Sequence, residues 1–348
     1  MSKRTRRVPS HTRSLARQRG SVPLWLLLTM PMLLTLGAFA IDLPRVAIVR
    51  NELQNAADAA ALAGASKLLA SGSGPDWSSA ANATHAAVSL NRSDGAPLSA
   101  ATVQTGFWNL MGSPSTLEAQ TIAPGVYDAP AVQVTITRSA SLNGGAVSLL
   151  LGGFLDLLST PASATAVAVA AAPSTVGAGG LFPMVVDRCV LDQYWDAQTN
   201  EPVTDPSTGQ PYEFEIGNGH LYGGTCEAGQ WTSFLINAND VPTVRGLMAS
   251  GNPSPISIGD SIWIEPGVKT TLYSEVPVGT TIVVPVAAQI DAHSYVPIVA
   301  FAAFHVDGSY GGSGKYIEGH FVSGYRLPVQ AWGVGPQYGV YVAPRLAL

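Results

Sequence analysis

Cysteine and charge are both scarce in this chain, and several chemistries go with them. Only two cysteines occur in 348 residues, Cys189 and Cys226. They do not form C-x-x-C, so a thioredoxin-type redox pair is not indicated, and two thiols alone do not build a structural zinc site. Charged residues make up 12% of the chain, and residues 22–41 contain none. No G-x-x-x-x-G-K-[ST] loop is present, so any ATP-driven step falls to another protein. His220, His293, His305 and His320 lack H-E-x-x-H spacing, and acids such as Asp291 and Asp307 complete a metal site only if folding brings them together. The acidic run Asp192, Asp196, Asn200, Glu201 and Asp205 lacks the spacing of an EF-hand and reads as a solvated loop. No cofactor and no metal are expected, and no internal repeat is visible.

What is present is a strong asymmetry of charge around an apolar run. The first twenty residues hold seven basic groups (Lys3, Arg4, Arg6, Arg7, Arg13, Arg17, Arg19) and no acid. The remainder then holds eleven basic and 23 acidic residues, a net of −12. A basic flank is held on the anionic cytoplasmic side of a membrane, so the expected orientation is N-terminus inside and acidic bulk outside the cytoplasm. Twenty uncharged helical residues rise roughly 30 Å, about one hydrocarbon core. Pro23 lies near the helix start and Pro31 is expected to kink the span. Beside such a segment the basic tail reads as a topology signal and not as a nucleic-acid site. Two rival fates remain open. Ala38-Phe39-Ala40 has the A-x-A form of a signal-peptidase site, and cleavage there releases a soluble protein. Gly20 before the apolar run resembles a prepilin cut site, although prepilins usually carry Glu at the fifth position after the cut and Trp25 stands here.

Beyond the run, Val46, Val49, Leu53, Ala56, Ala60 and Ala63 follow the three-four spacing of a helix face, with Arg50, Glu52, Asn55 and Asp58 largely off it. Ala56, Ala60 and Gly64 are spaced by four, as are Ala57, Ala61 and Ala65. Such rows allow a helix or sheet to approach closely. The occupant is either the chain's own domain or a second copy of the helix.

The string Gly37-Ala38-Phe39-Ala40-Ile41-Asp42, then Arg45, Arg50 and Leu53-Gln54-Asn55-Ala56-Ala57-Asp58-Ala59-Ala60-Ala61-Leu62-Ala63-Gly64-Ala65, resembles the N-terminal module of TadG-like proteins of the Tad (tight adherence, Flp pilus) systems. Arg17-Gln18-Arg19-Gly20-Ser21 fits the R-x-R-G-S/A start usual in that family. The resemblance covers residues 15–70. It implies a single-span inner-membrane protein with its bulk in the periplasm, associated with building or anchoring the pilus and not known as an enzyme. It marks Leu53, Gln54, Ala56, Ala57, Asp58, Ala60, Ala61 and Gly64 as a helix-packing motif. Longer members carry a von Willebrand factor A domain with a D-x-S-x-S metal motif; that motif is absent here and its metal site is not carried over.

After a break at Ser71-Gly72-Ser73-Gly74-Pro75, residues 78–90 read as a short helix and 131–138 and 162–172 as strands. Residues 147–158 read as a buried helix or hairpin, too short to cross a bilayer. Residues 172–180 read as a linker. The remainder holds ten of eleven Tyr, four of seven Trp and both cysteines. Its short β-rich runs at 256–264, 270–276, 280–287, 296–306, 316–322 and 339–342 indicate a sandwich or barrel, with one helix after Asp240. Outside the cytoplasm Cys189 and Cys226 are expected to pair, the alternative being two buried thiols.

The expected fold is therefore α+β: a basic tail (1–20), a transmembrane helix (21–43), an Ala-rich stalk (44–71), a small mixed, pilin-like domain (72–174) and a mainly-β domain (175–348). The expected function is a non-catalytic, membrane-anchored part of Tad/Flp pilus assembly. Its partners are the inner membrane, other assembly proteins or pilin-like subunits, and further copies through the Ala-rich helix; no nucleic acid is among them. The alternative is an adhesin released after Ala40, with exposed Tyr and Trp as its ligand surface. Gly259-Asp260-Ser261-Ile262 resembles the start of certain esterases, with Asp291 and His293 at the wrong spacing, and a turn before a strand explains it better.

Overall fold

The computed structural model describes residues 22–70 and 74–347. The basic tail and the Ser71-Gly72-Ser73 break lie outside the described residues. Helix α1 (Val22–Ala65) is continuous for 44 residues and runs through both Pro31 and Pro44. At 1.5 Å per residue it is about 66 Å long. Its two halves have different surroundings within the protein. From Val22 to Leu36 nearly every large apolar side chain is exposed, whereas from Val49 onward one face is buried. One stretch of α1 is long and apolar enough to cross a membrane, and only 6% of it is covered by the protein. Such a helix fits a single-pass anchor. Residues 66–70 continue as turns, so the regular helix stops at Ala65.

Helix α2 (Trp77–Ser89) starts at Asp76, whose carboxylate accepts from the Ser79 amide at 2.9 Å, an N-cap that satisfies one of the free first-turn donors. It packs on α1. Strands β1 (Thr102–Asn109), β2 (Asp128–Arg138) and β3 (Ala162–Val169) form an antiparallel sheet in that order. Alternation decides which side faces the helix. Val132, Val134 and Ile136 of β2 and Ala164, Ala166 and Ala168 of β3 join Val49, Leu53, Ala56, Ala57, Ala60 and Ala61 in one apolar cluster. Alanine on both surfaces lets the sheet lie close to the helix. A further strand, Arg345–Leu346, pairs antiparallel with β3 at Val169 and Ala168, so the far end of the described chain completes the first sheet.

Seven strands make the second sheet: β4 (Met184–Asp187), β5 (Phe214–Ile216), β6 (Gly229–Phe234), β7 (Ser261–Ile264), β8 (Thr280–Ala287), β9 (Tyr295–Tyr310) and β10 (Tyr316–Phe321). The pairings β9–β7, β7–β6, β6–β4, β4–β8 and β8–β9 return to their start, so five strands close a barrel, and β10 and β5 extend from it. The β4–β8 pair is parallel and the others are antiparallel. Closure removes the exposed edge that an open sheet presents. Alternate residues of β9 enter different clusters: Ala300, Ala302 and Phe304 one, Phe301 and Ala303 the other. Both faces of this strand are therefore buried, which accounts for its unbroken apolar sequence.

Helix α3 (Arg188–Tyr194) follows β4 with Asp187 as N-cap, and α4 (Val241–Ser250) follows Asp240, with Pro242 in its first turn. Three local expectations are corrected. Residues 270–276 are not a strand: Thr270–Tyr273 is a short helix that buries Leu272 and Tyr273. Residues 172–180 are not a free linker, because Thr175–Val176 pairs with both Ile256–Ser257 and Ala331–Trp332 and Val176 is fully buried. Residues 147–158 belong to a hairpin whose apolar side chains Leu150, Phe154, Leu157 and Leu158 are exposed, not buried.

Candidate functional site

The stem of α1 is the chemically distinctive region. Leu53, Ala57, Ala60 and Ala61 are fully buried, Ala56 and Gly64 nearly so, against α2, β2 and β3. Both four-spaced rows lie in this seam, while Ala63 is only half-buried. Gln54 and Asp58 flank it: Gln54 Nε2 donates to Asp58 Oδ1 at 2.7 Å and to the Thr165 carbonyl of β3 at 3.2 Å. The chain's own elements thus cover the small-residue seam, and Leu43 and Ile48 lie on the uncovered flank. Gly64 sets the closest approach. A Cβ there would overlap Thr84 Oγ1 and lie 3.0 Å from the Ala80 carbonyl oxygen of α2. Gly64→Val is expected to cost about 1–3 kcal/mol through overpacking. A lowered thermal midpoint in detergent checks this; an unchanged midpoint means that α2 does not pack here.

Two polar clamps that sequence reasoning missed fix the stem. Asp94, in a left-handed turn, meets Arg45 Nη2 of α1 at 3.1 Å and Arg138 Nη1 of β2 at 3.6 Å. Its own N–H donates to Glu52 Oε2 at 2.6 Å. Arg138 is buried and also donates to the carbonyls of Ser93 and Gly145. Asp42, where the apolar run ends, is buried and accepts from the Leu150 and Leu151 amides at 2.7 and 3.1 Å. An acid directly after the uncharged run is the signal that could have drawn attention to this position; its partners more than a hundred residues away leave none.

In the barrel region Cys189 and Cys226 form a disulfide with their Cα atoms 6.0 Å apart, tying α3 to the strand Cys226–Glu227. Among the described residues, one group has metal-like spacing, Asp187 with Cys189 and Cys226, and the disulfide occupies both sulfurs. The acidic loop is dispersed. Asp192 pairs with Arg188, and Asp196 and Asp205 accept from nearby amides. His220 pairs with Glu215 at 2.9 Å. His320 lies 2.6 Å and His305 3.8 Å from Asp307. Ser261 starts β7 opposite Pro297, Asp260 accepts from the Ser257 amide, and His293 packs edge-on against Trp263. Among the described residues Ser261 and His293 share no hydrogen bond, so the esterase-like string is a turn leading into a strand. Trp195, Trp231, Trp263 and Tyr273 fill the core, and burial pushes the Tyr273 hydroxyl up to about 12. Tyr295, Tyr310 and Trp332 remain exposed.

Glu201 lines a narrow cleft of about 30 Å³ with Leu69, Phe107, Ser323 and Gln337, where the end of the stem meets the barrel region. Burial raises its carboxyl above the usual range, and a hydrogen bond from Ser323 only partly opposes this. Because the folded value is raised, Glu201 favours folding below its unfolded value near 4.5, and that contribution is lost as the pH rises through the folded value. Glu201→Gln is therefore expected to raise the thermal midpoint at neutral pH and to leave it unchanged near pH 4. Equal shifts at both pH values would overturn this account.

Taken together, the chain is of the α+β class: a helix with one candidate membrane span, clamped into a small antiparallel sheet and followed by a disulfide-braced barrel. The matches to known families place it more narrowly. Residues 20–67 match the TadE/G-like Flp pilus-assembly family, the extent of α1 and its first following turn. Residues 52–168 match the Tad-like Flp pilus-assembly family, from the buried part of α1 through β3. Over residues 20–168 the chain is similar to these Flp pilus-assembly families, and the two matches support a TadG-like protein. The barrel lies beyond both matches. No curated protein and no solved structure matches the chain.

Proposed function

We propose that this protein is a non-catalytic scaffold of Flp pilus assembly, held in the inner membrane by the exposed half of α1 with its sheet and barrel in the periplasm. One observation carries the reading: the uncovered apolar half of α1 continues without a break into a half locked in the first sheet. A force on the sheet or barrel is thereby passed along one helix to the membrane. The basic tail supports the N-in orientation, and the disulfide fits an oxidising compartment. The barrel, braced by that bond, offers the surface to other assembly proteins or pilin-like subunits. Contact between stems uses the uncovered flank of α1, since the small-residue seam is filled from within. The proposed division into tail, span, stalk, small domain and β domain follows the same line.

Deleting the gene should abolish surface pili while the ATPase activity of the assembly motor stays unchanged; a piliated deletion strain sinks the proposal. N-terminal sequencing of fractionated cells tests the anchor. Residues 22–41 should be retained in the inner-membrane fraction. A soluble form beginning at Ile41 replaces the anchor with the released-adhesin reading.

A further inference from the structure

The hairpin formed by Val147–Ser148 and Ser159–Thr160 is unusual for a water-facing loop. Seven of the ten residues 149–158 are Leu or Phe. Phe154 is 61% and Leu158 75% exposed, and Leu150 and Leu157 are similar. The hairpin does not stand free. Asp42 binds it through the Leu150 and Leu151 amides, and from there it follows α1 back along the apolar run. Phe154 shares a groove of about 470 Å³ with Leu26, Met30 and Leu34 of α1. Leu34 is eight residues before Asp42, about 12 Å along the helix axis.

We propose that this hairpin is a second membrane contact, lying beside α1 in the outer half of the inner membrane with Leu150, Phe154, Leu157 and Leu158 among lipid acyl chains. The proposal rests on the reading of α1 as an anchor. Two observations favour lipid over a protein partner. The exposed face is continuous with the uncovered span, so any bilayer that surrounds residues 22–36 also meets the hairpin. Several of the hairpin's amides are also paired within the protein, as a lipid-facing segment requires. Leu149 N–H donates to the Leu158 carbonyl, Phe154 to Leu151, Asp156 to Gly153 and Leu157 to Gly152. Leu150 and Leu151 donate to Asp42. That pairing serves both groups: it satisfies two amides and keeps the Asp42 carboxylate away from hydrocarbon. Asp156, the one charged residue of the loop, is exposed in its left-handed turn, and on this proposal it must reach the headgroup level. The hairpin widens the footprint of the anchor and fixes the rotation of α1 in the bilayer, which a lone helix does not.

The test uses the full chain in phospholipid vesicles. Its native cysteines are joined, so single cysteines can be added and labelled with an environment-sensitive fluorophore. Phe154→Cys and Leu158→Cys report the hairpin, Leu28→Cys the span and Leu221→Cys the exposed surface far along the chain. Lipids carry a nitroxide either near the headgroup or deep in the acyl chain. Labels at 154, 158 and 28 are expected to be blue-shifted and quenched by the nitroxide lipids, 154 and 28 chiefly by the deep one, and the label at 221 by neither. If 28 is quenched while 154 and 158 behave like 221, the hairpin faces water or a protein and the proposal is overturned with the anchor intact. If 28 is also unquenched, the anchor fails with it.

Discussion

Lys269→Met is expected to lower the stability of the barrel by about 3–5 kcal/mol, because it strands a buried carboxylate. Glu265 is fully buried and the Lys269 side chain only 6% exposed, with Nζ 2.8 Å from Glu265 Oε2. Nζ also donates to the Pro266 carbonyl at 3.0 Å. Among the described residues, neither carboxylate oxygen has another hydrogen-bond partner. Taking two charges out of water is costly, and their attraction offsets the cost only while both remain. Replacing both with apolar residues, Glu265→Leu with Lys269→Met, should therefore recover most of the loss. The readout is the urea midpoint followed by the fluorescence of Trp231 and Trp263, both in the barrel. A loss below about 1 kcal/mol in the single variant would place the pair in the surface class and refute its burial.

Removing the disulfide with Cys189→Ser and Cys226→Ser together should cost about 4 kcal/mol in the chain-entropy account of a cross-link. The bond joins residues 37 positions apart and adds nothing to the first sheet directly. The loss should thus appear in the barrel's transition and in faster proteolysis of residues 188–227, while α1 keeps its clamps. Reducing the wild-type protein should give the same shift. No change on reduction would mean that α3 and its neighbours hold their places by packing alone.

Local patterns in the chain were readable where structure depends on near neighbours. The uncharged run and the three-four spacing of Val49, Leu53, Ala56 and Ala60 gave α1; the alternation of Val132, Val134 and Ile136 gave β2; Asp240 before Pro242 gave the start of α4. What escaped depends on distant partners. Asp42 looks like a simple end to the span until the Leu150 amides arrive from 108 positions away. Residues 149–158 carry an apolar pattern that does not say whether protein or lipid covers them. Barrel closure rests on the short parallel pair Val286–Val186 and Ala287–Asp187, which no local period encodes. The seam on α1 was readable as close-packed, but not which body would fill it.

The strand Arg345–Leu346 has a consequence for how the protein is made. It completes the edge of β3, and the amides of Val342 and Ala347 bond to the Ala171 and Val167 carbonyls beside it. During synthesis, β3 is made long before its edge partner, and the barrel residues come between them. The first sheet therefore waits, with one edge open, on correct folding of the barrel that lies between. A chain whose barrel misfolds leaves that edge bare, where strand-seeking partners or proteases can reach it. Integrity of the distal barrel is in this way reported in the first sheet, at the end of β3 away from Asp42.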